Sequence, residues 1–318
     1  MGTTFSFRTR EDNNLVKYTA DGFSITGKYE KENRLINAAL NFSSNTGKIY
    51  KINNKKTTRS NIDRLRVVLF TPDDLYLIKG SPSHRRDFVD FILRQISDEY
   101  VYNLQNYAKI LKKRNLLLRD NGARSKTFKI INELFIDSAV KIILARINFV
   151  NILDETARQV YSELTNERYK IKIRYAISFP LNNDKINLDI LTKALQKQLI
   201  NKNEREVIRK STLMGPHLDD IHVYQDDKMA RIFASQGQQR NIAISLKLAE
   251  LYTFRKIKGF FPVFLLDEVL AELDDEKKQL LVKHLATADF QSFLTSVNFG
   301  NINYYSAKFS LVINGHLE

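Results

Sequence analysis

The chain has 318 residues, enough for one large or two ordinary domains, and 43% of them are hydrophobic, which excludes a disordered chain. Cysteine is absent, which excludes disulfides and thiolate metal sites; no N-terminal apolar segment resembles a signal peptide and no run reaches the roughly 18 apolar residues of a membrane helix, so a soluble cytoplasmic protein is expected. With 50 basic and 36 acidic residues the net charge is +14, which fits either a solubility surface or a polyanion partner, nucleic acid foremost.

Residues 1–70 read as β-rich. Gly22 to Tyr29 alternates in polarity as a half-exposed strand does, and Ala38–Phe42 and Lys48–Ile52 continue the pattern across turn residues such as Ser43, Ser44, Asn45 and Gly47. Val67–Phe70 reads as a buried strand. Gly22, Gly27 and Lys28 have the spacing of a phosphate-binding G-x-x-x-x-G-K loop. The next residue is Tyr29, not the Ser or Thr whose hydroxyl would ligate Mg²⁺, and a turn rather than a helix follows, so the segment is expected to be plain strand. No other match to that motif occurs in the chain.

Pro72 and Gly80 mark loops, and Ser81 to Ser83 is a plausible helix start leading into His84, Arg85, Arg86 and Phe88. From about residue 84 to 165 the pattern is helical. Tyr100, Leu104, Tyr107, Leu111 and Leu118 fall near heptad spacing, as do Ile136, Val140, Ile143, Ile147, Val150, Ala157 and Leu164. Asp120-Asn-Gly122 separates the two runs, so an antiparallel helical hairpin is expected. Near its tip Lys112, Lys113 and Arg114 form either a solvated helix end or a phosphate-contacting patch. Residues 169–179 alternate strictly and predict a strand with one basic face; a polar turn, Pro180 to Lys185, leads to an amphipathic helix over about 187–210 with Lys193, Lys197, Lys202 and Arg205 on its charged face. His217, beside Gly215-Pro216, is expected to be a structural hydrogen-bonder in a loop that re-enters sheet at Ile221–Tyr224.

Two stretches carry the chemistry. Ser235-Gln-Gly237-Gln238 precedes an apolar-periodic helix, Ile242–Leu251, so the first helical N–H groups and the positive end of the dipole would point at an anion, with Gly237 allowing close approach. About 30 residues later Phe264-Leu265-Leu266-Asp267-Glu268 reads as a strand, buried on both faces, that ends abruptly in two carboxylates. In open α/β sheets ligands bind outside such carboxyl ends; one acid there can hold Mg²⁺ through a water and the next can polarise an attacking water.

In order, Ser235–Gln238, Leu265-Leu-Asp-Glu268 and Ala271-Glu-Leu-Asp274 resemble the signature motif, Walker B and D-loop of ABC-type ATPases. Within that class Phe70-Thr-Pro-Asp-Asp-Leu75, the stretch Lys79 to Asp90, Gly215-Pro-His-Leu-Asp-Asp220 and Phe233 to Arg240 are similar to the RecF family of DNA replication and repair proteins, from Phe5 nearly to the C-terminus. The resemblance implies an α/β fold: an ABC/SMC-like ATPase head (mixed sheet with helices) plus a helical second lobe with an antiparallel helical hairpin. Residues 1–83 and 213–318 would form the ATPase lobe and 84–212 the helical lobe. It implies a weak DNA-dependent ATPase that binds gapped or single-strand/double-strand junction DNA, dimerises on ATP with Mg²⁺, and helps load RecA with RecR and RecO, cytoplasmic and nucleoid-associated. Ser235, Gln236, Gly237 and Gln238 would bind nucleotide across the dimer, with Asp274 touching the partner subunit. Asp267 would hold the metal and Glu268 would orient the attacking water.

The chain also departs from that pattern. In the family a Walker A loop precedes the segment seen here as Ser6-Phe-Arg-Thr9, so an N-terminally truncated member with impaired ATP binding is expected; the alternative is a non-enzymatic DNA-binding relative without a phosphate loop. A transport ATPase subunit, which would share Walker B, is disfavoured by the helical insertion and the net charge of +14. No switch histidine follows Phe293-Leu-Thr-Ser296, and Glu268 stands where many RecF proteins carry a second Asp. Each lost charge-assisted phosphate bond removes about 1.5–3 kcal/mol, so two losses weaken nucleotide binding on the order of a hundredfold, and little ATP turnover is expected of these residues alone.

Overall fold

The computed structural model describes residues 6, 9, 11–58, 61, 63–120, 122–166, 168–181, 185–297, 307–313 and 316–317. Phe7 and Arg8, Asn121 of the predicted hairpin turn, residues 182–184 and the stretch 298–306 after Ser296 lie outside the described residues.

Four antiparallel strands come first: β1 (Gly22–Lys31), β2 (Arg34–Ser43), β3 (Gly47–Ile52) and β4 (Lys55–Lys56), hydrogen-bonded in that order. The β1–β2 link uses Glu32 and Asn33 and the β3–β4 link Asn53 and Asn54, all at positive φ, the conformation that two-residue hairpins require and that Asn tolerates. Their inward face makes a small core of Ile36, Ala38, Leu40, Tyr50 and Ile52. Gly22, Gly27 and Lys28 all lie in β1, so they form strand, not a phosphate loop.

A second sheet is parallel, with β9 (Val263–Asp267) between β5 (Val67–Phe70) and β10 (Ser292–Thr295). The register Val68↔Phe264 and Phe70↔Leu266 puts these four residues on one buried face. The other face differs from expectation: Leu69 and Leu265 are half-exposed, so β9 is closed tightly on one side only. A third, antiparallel sheet joins β6 (Ile171–Ala176), β7 (Asp220–Gln225) and β8 (Lys228–Met229).

The helices are α1 (Tyr76–Lys79), α2 (Pro82–Ile96), α3 (Asp98–Arg119), α4 (Lys126–Leu164), α5 (Leu188–Arg209), α6 (Ala230–Phe233), α7 (Gln236–Lys258) and α8 (Asp275–Thr287). Helices α3 and α4 form the expected hairpin, each begun by a serine (Ser97, Ser125) whose side chain accepts a first-turn N–H. At 39 residues α4 is roughly 58 Å long and serves as the spine: it packs on α3 and α5 and also on α2, β6 and α7. One continuous apolar core therefore runs from Val68 and Phe70 through the hairpin to Phe264 and Phe290. No helix among the described residues is long and apolar enough to cross a membrane.

Charged groups inside this core are paired. Arg146 donates two bonds of 2.9 Å to Asp90 and one of 2.6 Å to the Pro216 carbonyl. Arg85 grips Asp220 with two bonds, and Arg86 donates to the Asp219 carbonyl. Asp219 in turn accepts from the Tyr175 hydroxyl and the Ser178 N–H. The Lys79–Asp90 and Gly215–Asp220 stretches thus latch onto each other and hold the helical part on β7.

Candidate functional site

The two predicted halves of the nucleotide site are both built from the ends of regular elements. Strand β9 stops at Asp267, half-exposed, and Glu268 follows, exposed and in the left-handed conformation with φ 54°. That conformation is costly for a residue with a Cβ and turns the chain sharply off the strand end. Thr295, at the end of β10, fixes both acids: its hydroxyl donates to Asp267 Oδ1 at 2.8 Å, while the Glu268 N–H lies 3.2 Å from its carbonyl and 3.2 Å from its hydroxyl oxygen. This threonine was missed by motif reading; its signal was its place at the end of the last apolar run, parallel to β9. Among the described residues no three acidic or histidine side chains cluster as a ready metal site. Two carboxylates at a strand mouth are the oxygen donors Mg²⁺ takes when it keeps most of its waters.

Asp274 caps α8: it accepts the Lys277 N–H at 3.0 Å and pairs with the Lys277 ammonium, and this contact holds its carboxyl below the usual carboxylate range.

The other half opens α7, which begins at Gln236 with Ser235 just before it, as expected, while its apolar pattern sets in only at Ile242. Ser235 and Gln238 form a reciprocal capping box: the Ser235 N–H donates to Gln238 Oε1 at 2.7 Å and Gln238 N–H to Ser235 Oγ at 3.3 Å. The Ser235 hydroxyl acts there as acceptor, so its own proton can be directed at an incoming oxygen. Gln238 holds the loop in shape, and Gln236 is exposed beside it. At Gly237 no heavy atom among the described residues lies within 4 Å of where a Cβ would sit, apart from its neighbours and the helix backbone. The mouth of α7 is open to an approaching anion.

The position of that mouth follows from a buried ion pair. Lys247, midway along α7, lies 2.6 Å from Glu250 and 3.7 Å from Asp74, in the turn just after β5. Burial pushes the Glu250 carboxyl up to about 7, partly offset by Lys247. Lys247 therefore ties α7 to the turn that follows β5, just past the Phe70↔Leu266 pair that ends the β5–β9 register. The 11 residues from Lys247 back to Gln236 make about 16 Å of helix.

The structure separates the basic trio at the hairpin. Lys112 and Lys113 are exposed, but Arg114 is a correction to the phosphate-contacting patch: it is 1% exposed. Its guanidinium bonds Glu206 and Thr212 at 2.6 Å and Asn132 at 2.8 Å, and lies over Phe128 and Phe135. It faces inward because it occupies the heptad seam with Tyr107 and Leu118. His217 is structural, as expected: its Nδ1 meets the Tyr107 hydroxyl at 2.5 Å, and burial lowers its pKa to about 4.

No family model matches the chain. Among curated proteins it is 33% identical over 308 residues to the DNA replication and repair protein RecF of Enterococcus faecalis, covering 95% of this chain and 82% of that protein. It is 34% identical over 320 residues to the protein of the same name from Streptococcus thermophilus, covering 99% and 86%. The chain belongs to the RecF family. Its fold agrees: the recombination mediator protein RecF-ATPrS of the RecFOR pathway superposes with a TM-score of 0.89 at 28% identity, over 100% of this chain and 85% of that one. The corresponding RecF-ATP structure gives 0.83 over 94% and 80%.

Proposed function

We propose that this chain is a DNA replication and repair protein that binds gapped DNA or single-strand/double-strand junctions. On this reading it works as an ATP-dependent dimer, and one copy's Ser235–Gly237 mouth closes on the nucleotide at the other copy's Asp267–Glu268 edge. The family membership supports the role in repair. The observation that supports the dimer is that α7 runs 11 residues, about 16 Å of helix, from Lys247, which is tied to Asp74 after β5, to its open mouth at Gln236, and no hydrogen bond or ion pair among the described residues joins that mouth to Asp267 or Glu268.

Bound Mg·ATP would supply a γ-phosphoryl group activated for transfer to water. Asp267, steadied by Thr295, would hold the metal through a water, and Glu268 would orient the attacking water. The Ser235 hydroxyl and the first N–H groups of α7, at Gln236 and Gly237, would take phosphate oxygens in trans, while Gln238 keeps the loop in shape. Asp274, at the start of α8, would face the partner subunit. RecR and RecO are the expected protein partners, with RecA loading as the outcome; the RecFOR pathway named for the similar structure supports that association.

A second reading is favoured by one observation. These 318 residues contain no Walker A loop, and their one look-alike is strand β1. By themselves they would bind DNA with little hydrolysis.

Both readings are tested by titrating the chain against a fluorescent gapped duplex at 50 and 200 mM salt. A protein that contacts 6–10 phosphates loses about 10³–10⁵ in affinity over that range. Binding that is absent at both salts, or indifferent to salt, would sink the DNA-repair reading.

A further inference from the structure

Sequence alternation predicted one basic face on the strand after residue 169; the sheet shows what lies beside it. Strands β6 and β7 pair so that Lys172 is directly opposite Tyr224 and Arg174 directly opposite His222. Ile171, Ile173, Ile221 and Val223 point inward and are buried, so alternation turns the two cations and two aromatic rings to the outer face. His222 and Tyr224 stand edge-on with ring centres 6.3 Å apart. The Arg174 and Arg158 side chains, each 48% exposed, share Asp154, while Asp220 is gripped by Arg85 and lies 3.5 Å from His222 Nε2. Past β8 the exposed Arg231 shares one cleft with His222 and Met229, two residues before Phe233, which is 65% exposed and leads straight to Ser235.

We infer that this outer face is a binding site for single-stranded DNA, with bases stacking on Tyr224 and His222 and phosphates resting on Lys172, Arg174 and Arg231. The inference rests on the DNA-binding reading above and deepens it by naming the surface and the form of DNA. Cations alternating with aromatic rings are what a single strand needs: its bases have free π-faces, whereas those of a duplex are stacked and closed. Because β8 and α6 run directly into Ser235, a strand lying here would end beside the α7 mouth.

The test is anisotropy titration of the full chain with labelled oligo-dT and, separately, a gapped duplex. Tyr224→Ala is expected to weaken oligo-dT binding about 5- to 150-fold, from the usual 1–3 kcal/mol per stacked base, while Tyr224→Phe retains it. The Lys172→Gln/Arg174→Gln double variant, whose changes fall on part-exposed side chains, is expected to lower the slope of log affinity against log salt by about 1.4, two single-strand phosphate contacts at 0.7 each. This second variant decides the matter should Tyr224→Ala not fold. If the wild type binds the gapped duplex but the variants bind oligo-dT as it does, this surface is wrong and the repair reading stands. If the wild type binds neither DNA, both fail.

Discussion

His217 and Arg114 show how little a polar residue's type says about its use. Both are residues that act in catalysis or phosphate binding elsewhere, and both are structural here. Arg114 is buried with Glu206, also fully buried, and removing one partner of such a pair costs about 3–5 kcal/mol because the other charge is left stranded. His217 makes a pH prediction. Its folded pKa of about 4 lies below the ordinary value near 6.5, chiefly because burial opposes the charged form. A lowered histidine costs nothing above pH 6.5. As pH falls from 6.5 to 4 the unfolded chain takes up a proton that the folded one refuses, so stability is lost across that window. His217→Gln, which can still accept from Tyr107, is expected to remove that loss. The urea midpoint of the wild type should fall relative to that of the variant on going from pH 7 to 4, and a constant difference would rule the histidine out as a cause.

Helix α7 does most of the positioning. Its capping box shapes the mouth, Lys247 pins its middle to Asp74 at the sheet edge, and Gly259, with φ 82°, ends it. Gly237 lies in its first turn with open space in front of it. Nothing in the fold needs a glycine there, since its φ is not in the left-handed region. Gly237→Ala is therefore expected to leave the melting temperature unchanged or slightly raised, because alanine has the better helix propensity. It is expected to reduce ATP-dependent association at least several-fold, because the new methyl occupies the space a phosphate would enter. A thermal melt together with sedimentation in the presence of Mg·ATP checks both halves. Lost stability with intact association would reverse the assignment.

For the molecule as a whole, the question is whether two copies share one site. The chain contains no cysteine, so an introduced pair reports only on itself. Ser235→Cys with Glu268→Cys, treated with a short bismaleimide in the presence of Mg·ATP, is expected to give a covalent dimer, because on the proposed reading Ser235 of one copy faces Glu268 of the other. Exclusively intramolecular cross-linking would place both halves in the same copy and defeat the trans arrangement.

Much of this protein is local, and local features can be read without the fold. The alternation of β1 and β6, the heptads of the α3–α4 hairpin, the acids that end β9 and the capping residues before α7 depend on neighbours in sequence, whose spacing is set by strand and helix periods. The first turn of α7 is polar and carries no apolar signal, so its start is legible from the serine that caps it and not from periodicity. What only the tertiary structure decided are relations between distant residues: Arg114 turned inward to Glu206, Thr295 set against Asp267, Lys247 joined to Asp74, and Tyr224 placed opposite Lys172. Burial and pairing arise when separate elements meet in three dimensions, and no periodicity within one element records which partner it will meet.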